Sequence, residues 1–232
     1  SGSDASSSSS NSVERVFVSF RNAGLWISDD GGKTFQIPQD LPVRYRGKKE
    51  SNCDPVLYRD VVGVWQHPSN PSIILAVNIQ DILLSMDGGH SFRKLEFRGL
   101  SHLQSRNIFA SIAASFDASG RVQNIFLGTA YNGIKRIRVN PQGLETFWAS
   151  GSGLVVSVHD LNQGLPGLMH EPGVIFYEHI QDLRWFESNQ SLVALTQFDP
   201  GIGLASTANG FSSFKFRRVP NAATDDVAES MD

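Results

Sequence analysis

Cys53 is the only cysteine in 232 residues. A lone thiol closes no internal disulfide and builds no thiolate zinc cluster. It neither demands nor excludes an oxidising compartment. Charge of one sign is also scarce: 20 Lys+Arg against 23 Asp+Glu leave −3 at pH 7. That balance supplies no global field for nucleic acid or an anionic membrane, so neither is expected as a partner. No apolar run approaches the ~20 residues of a membrane-spanning helix, and stretches with helical periodicity are few. Residues 1–12 are nearly all Ser, Gly, Asp and Asn, without a hydrophobic signal core or a starting Met. They read as a flexible tether of a processed chain.

What is present is apolar and turn-rich: 40% hydrophobic, 15 Phe and 21 Gly. This composition fits many short strands within one all-β domain, a class that commonly reaches ~200–250 residues as a single unit. The chain is organised by Ser28-Asp29-Asp30-Gly31-Gly32-Lys33-Thr34-Phe35, which returns as Ser85-Met86-Asp87-Gly88-Gly89-His90-Ser91-Phe92. Each copy follows an apolar run. Asp beside two glycines is hairpin chemistry: the carboxylate accepts from N–H groups of its own turn, and glycine supplies positive φ. The hydroxyl of Thr34 or Ser91 closes the turn, and Phe35 or Phe92 is expected to turn back into the core. Ser28, Asp30, Gly32, Thr34 and Phe35, with Ser85, Asp87, Gly89, Ser91 and Phe92, are therefore assigned structural roles.

Aromatics that end such units recur at Phe35, Phe92, Phe147 and Phe214. Their spacing predicts four-stranded antiparallel units over about 13–40, 59–98, 106–149 and 180–219, inside a domain spanning 13–220, with a flexible acidic tail at 221–232. In the third unit Leu144 to Trp148 is the expected outer strand, after a decayed motif at Asn140 to Phe147. In the fourth, Asn209 replaces the Asp. The first unit lacks an inner strand, because only the tether precedes Arg15. The polar tail is poor in β-branched residues and a weak candidate to fill that gap. The expectation is about four units, completed by a second chain or another copy.

The repeated motif resembles the Asp box (BNR-like repeat) of sialidase-like β-propellers, and the resemblance covers roughly Val16 to Val219. It implies an all-β propeller of four-stranded blades. Three classes share the motif: sialidases, xyloglucanase-like glycosidases, and binding or assembly propellers of the sortilin and photosystem-assembly types. The sialidase set includes an arginine cluster and a Tyr–Glu pair. Tyr177 and Glu178 are adjacent here, so on a strand they face opposite ways, and Arg21, Arg106, Arg136 and Arg184 are widely spread. Two-carboxylate glycosidases of the second class use two propeller domains, and one partial propeller supplies no such cleft. The third class matches best. It implies a non-enzymatic extracytoplasmic scaffold recognising a protein partner, with a glycan-binding or glycoside-hydrolase propeller as the alternative. The Ser-rich start resembles tethers that follow the lipid-bearing cysteine of bacterial lipoproteins.

In such folds one face carries the box turns and the other the long connections, so Asp30 and Asp87 are expected to point away from a central site. Arg44, Tyr45, Arg46, Lys48 and Lys49 in the first long connection fit an acidic partner or sugar; a solvated basic loop is the competing reading. The connection predicted from Ala149 to Ile180 carries His159, His170, Glu171 and Tyr177, which complete the candidate recognition surface. Its His and carboxylate spacing matches no metal motif, so neither metal nor cofactor is expected.

Overall fold

The computed structural model describes residues 15–20, 24–39, 41, 44–45, 57–58, 61–78, 81–95, 108–140, 142–151, 156–165, 167–171, 174–177, 179–197, 201–206 and 213–218. Three four-stranded antiparallel sheets form its body. The first joins β5 (Val61–Gln66), β6 (Ile74–Asn78), β7 (Ile82–Ser85) and β8 (Arg93–Lys94). The second joins β9 (Phe109–Phe116), β10 (Val122–Thr129), β11 (Ile134–Val139) and β12 (Val156–Asp160). The third joins β15 (Ile180–Phe186), β16 (Ser191–Thr196), β17 (Gly201–Ser206) and β18 (Lys215–Arg218). Ahead of them, β1 (Val16–Phe20) pairs with β2 (Gly24–Ser28), and Ile27 bridges to Gln36. Two small hairpins lie in the connections: β3 (Arg44–Tyr45) with β4 (Leu57–Tyr58), and β13 (Gly167–Glu171) with β14 (Val174–Tyr177).

Neighbouring strands of each sheet follow one another in the chain and run antiparallel, so each sheet is local in sequence. Its side chains alternate between two faces, and both faces are covered. In the sheet of β5–β8, Ile74, Ala76, Leu83 and Phe92 pack with Leu25 and Ile27 of β2. Leu75, Val77, Ile82 and Leu84 point the other way, onto Ile112, Ala114, Ile125 and Leu127. Ala113, Phe126 and Ile134 then face Leu183, Leu192 and Ala194. The core therefore lies between sheets rather than within any one of them, and no sheet buries its apolar surface alone. Inner strands β5, β9 and β15 lie side by side, with Gly63 close against the backbone of Ile112 and the Ser111 hydroxyl donating to the Ile180 carbonyl.

Two expectations are corrected. Leu144 to Trp148 is not a strand: Gly143–Ser150 is helix α1, closed by Gly151 at φ 69°. Leu144 and Phe147, three apart, form its buried face, and the outer strand comes later, as β12. The long connection accordingly begins at Leu161 rather than Ala149. Phe35 is also not a core residue; it is 39% exposed, whereas Phe92 is 1% exposed. Positions 207–212, the fourth copy of the motif, lie outside the described residues.

The two complete hairpins carry one bond set. The Ser28 hydroxyl donates to Asp30 Oδ1 at 2.7 Å and accepts from the Gly32 N–H at 2.8 Å; Ser85, Asp87 and Gly89 repeat both distances. Asp30 accepts from the N–H groups of Lys33 and Thr34 and from the Thr34 hydroxyl; Asp87 accepts from the N–H and hydroxyl of Ser91. Arg15 ties the hairpins together, donating to Asp29 at 2.6 Å and to the Gly88 carbonyl at 2.7 Å. The Gln39 N–H adds a bond to the His90 carbonyl.

Candidate functional site

The inner strands β5, β9 and β15 frame a cavity of about 480 Å³. Each is the end strand of its sheet, so side chains from both of its faces reach the rim of this space. Val62 and Trp65 line it from β5, Ser111 and Ile112 from β9, and Gln181, Asp182, Arg184 and Trp185 from β15. Glu187 closes one end, in the tight turn Glu187–Asn189. Val62 is 42% exposed, and Trp65 and Trp185 are partly exposed. Behind Trp185, Phe126 stacks at 5.9 Å between centroids and 20° between planes, fixing the indole from the core side.

The charges in the cavity are committed. Arg184 donates to Asp182 at 2.9 Å, and Asp182 also accepts from the Leu183 N–H. Glu187 accepts from the Trp185 indole N–H at 2.7 Å and from Gln190. These contacts fix Trp185 and Arg184, which leave β15 on opposite faces, and the wall they help line is aromatic and apolar beside one guanidinium.

His67, at the same end, is buried at 1% exposure. Its Nδ1 accepts from the N–H groups of Ser69 and Asn70, while Trp65 and Phe116 pack on the ring. Burial holds its pKa below the ordinary value, against the opposing pull of the Gly120 backbone and of Glu187. The carboxylate of Asp30 is also held low, first by the Thr34 hydroxyl and then by the Thr34 N–H. For Asp87 partial burial acts upward, and the hydroxyl and N–H of Ser91 with the Ser85 hydroxyl outweigh it. Asp117 is lowered chiefly by the Ser119 hydroxyl.

All four groups are depressed in the folded state, so the unfolded chain binds more protons and stability falls as pH falls. His67 contributes fully above about pH 6.5 and its contribution erodes as pH drops through the lower folded value; the three carboxylates follow below about pH 4. Urea midpoints should thus decline in two stages. His67→Phe should flatten the first stage alone, and an unchanged slope between pH 7 and 5 would remove His67 from this account.

The residues expected to recognise a partner are distributed as follows. Arg44 and Tyr45 lie on β3 and pair with Tyr58 and Leu57. Arg46, Lys48 and Lys49 lie outside the described residues. His159 is exposed on outer strand β12, its ring 3.3 Å from the Ser157 hydroxyl. His170 and Glu171 belong to β13 and Tyr177 to β14. Among the described arginines, Arg184 lines the cavity, whereas Arg136 is partly buried on β11. Sequence reasoning missed the cavity set itself; the polar residues Gln181, Asp182, Arg184 and Glu187 fall on both faces of β15 and its following turn, so no alternation marked them.

No protein-family model and no curated protein matches the chain. Solved structures do. An ancestral GH74 enzyme superposes with a TM-score of 0.52 at 14% identity, covering 91% of this chain and 23% of that one. The chain is a β-propeller. YCF48 bound to D1 peptide aligns over 89% of this chain and 52% of its own, with TM-score 0.46 and 15% identity. The Cps50 (Swd1) β-propeller domain of Myceliophteria thermophila gives TM-score 0.47, 13% identity, and 90% and 56% coverage. The chain thus spans about half of the YCF48 chain and under a quarter of the GH74 chain. In propeller terms the three four-stranded sheets are blades, and the 480 Å³ cavity lies where the inner strands converge.

Proposed function

We propose that the chain is a non-enzymatic, extracytoplasmic binding scaffold that recognises a protein partner at the inner-strand cavity. The cavity wall carries this reading: Val62, Trp65 and Trp185 present apolar and aromatic surface beside Arg184, while Asp182 and Glu187 are already engaged as acceptors. Aromatic and arginine side chains in a partly desolvated recess are the usual anchors of protein recognition. The hairpins at Asp30 and Asp87 are read as Asp boxes, because both make the same bonds inward on their own turns. The connections bearing Arg44, Tyr45, Arg46, Lys48, Lys49, His159, His170, Glu171 and Tyr177 are read as a second, outer contact surface. A tether over 1–12 and a tail over 221–232 flank the propeller in this scheme.

The test begins with a photo-crosslinking amino acid at Phe186, which is 48% exposed beside the cavity. Against the partner so identified, Trp185→Ala and Arg184→Glu should each weaken binding about tenfold or more, as expected of central anchors. Unchanged affinity in both would move recognition away from the cavity.

A second reading rests on Trp65 and Trp185 sharing the cavity with Gln66, Gln181, Asp182 and Glu187, a mix of stacking faces and polar groups that also suits sugar. Hydrolysis of sialosides or β-glucans that disappears in Asp182→Asn or Glu187→Gln would establish that reading and displace the first.

A further inference from the structure

We propose that the open edge of β1 accepts an extended β-strand from a partner polypeptide, which becomes the inner strand of the first blade. β6, β10 and β16 each sit between two neighbours; β1, their counterpart in the first blade, pairs only with β2 among the described residues. Beside it runs a groove of about 420 Å³, lined by Phe17, Ser19 and Leu25 on one side and by Val61, Val62 and Val64 on the other.

The hydrogen-bonding edge can be assigned residue by residue. Ile27 exchanges both backbone bonds with Gln36. Backbone groups alternate in direction along a strand, so Trp26 and Ser28 bond toward β1, where their partners are Val18 and Val16. The N–H and C=O groups of Phe17 and Ser19 therefore face the groove. Unpaired edge groups beside an apolar groove are a template for strand addition.

The three inner strands already present define what fits. Val61, Phe109 and Ile180 open them with an apolar residue, and Gly63, Ser111 and Asp182 follow two places on. The blade contacts also repeat. Gly128 of β10 approaches Ile180 of the next inner strand, and the hydroxyl of Ser19 donates to the Val61 carbonyl. β1 thus meets the second blade as a second strand should, leaving the place inside it for one more strand. The occupant is an extended segment with apolar residues at alternate positions and a small residue near its third. This acceptor edge is separate from the recognition role proposed for Trp185 and Arg184, and its test reads Phe17 and Ser19 instead.

The experiment uses the full chain and a fluorescent peptide copying Tyr58 to Gln66. Binding is expected, with amide exchange at Phe17 and Ser19 slowed at least tenfold and no change at Val16 and Val18. N-methylation of alternate peptide residues on the edge facing β1 should weaken binding at least tenfold; methylation of the intervening set should not. Ser19→Pro, which removes one outward N–H, should lose binding, whereas Ser19→Ala should keep it. Should Ser19→Pro not fold, the methylated peptides carry the test on unaltered protein. Three results would overturn the proposal: no binding, protection of Phe17 and Ser19 already present in the free monomer, or protection that rises only with protein concentration. The second would assign the slot to a segment of the same chain, the third to another copy.

Discussion

Phe126→Ala is expected to lower the unfolding free energy by about 3–5 kcal/mol, the range for truncating a buried aromatic. Phe126 is fully buried on central strand β10, facing the blade of β15–β18. Its surroundings include Ala113 and Ala194, which have no side chain to swing into the space, so the cavity should persist. Trp185 leans on the same ring from the cavity side. The loss should therefore appear twice, as a lower urea midpoint and as a shift in tryptophan emission in the still-folded state. Phe126→Leu should retain most of both. A loss of unfolding free energy below about 1 kcal/mol for the alanine variant would contradict this packing.

The second large effect separates backbone strain from crowding. Gly32 and Gly89 hold the same place in the two hairpins, at φ 91° and 93°. A side chain at either is strained, at about 1–3 kcal/mol. Their surroundings differ. A Cβ on Gly32 has Phe35 at 3.9 Å as its neighbour, whereas one on Gly89 would meet Ile27 Cδ1 at 2.5 Å and Ile74 Cδ1 at 3.2 Å. Overpacking adds about 1–3 kcal/mol more, so Gly89→Ala should be clearly more damaging than Gly32→Ala. Parallel denaturant titrations measure the difference. Equal losses would mean that backbone strain accounts for the whole effect.

The blade architecture was legible because its signals are local. Ser-x-Asp-Gly-Gly fixes a turn by bonds within seven residues, and continuity of apolar residues marks strands such as Ile82–Ser85. The third blade was misread for a physical reason. Phe147 sits at the repeat spacing, yet Leu144 and Phe147 satisfy helical periodicity in the same eight residues, and Gly151 provides a stop. Short apolar segments carry both periods, and packing against the core shared by the second and third blades decided between them. Phe35 failed as a core residue because its burial depends on what lies across from it, which its own turn does not encode. The cavity was the least legible part. Gln181, Asp182, Arg184 and Trp185 look like ordinary strand residues until three inner strands are brought together.

Helix α1 occupies the site between third and fourth strands where the second blade has its hairpin. It is moored from the neighbour: Arg93 donates to the Trp148 carbonyl and lies 4.6 Å from the centre of its ring. Arg15 does the same between the first two hairpins. The rim thus uses an arginine clasp between adjacent blades, and the clasped element is a hairpin in one place and a helix in the other. That makes the third-blade rim a graft point. An epitope, sensor peptide or second domain spliced between Val139 and Val156 should be carried by the propeller without redesign of its strands, provided Leu144 and Phe147 keep their places in the core and a carbonyl remains within reach of Arg93.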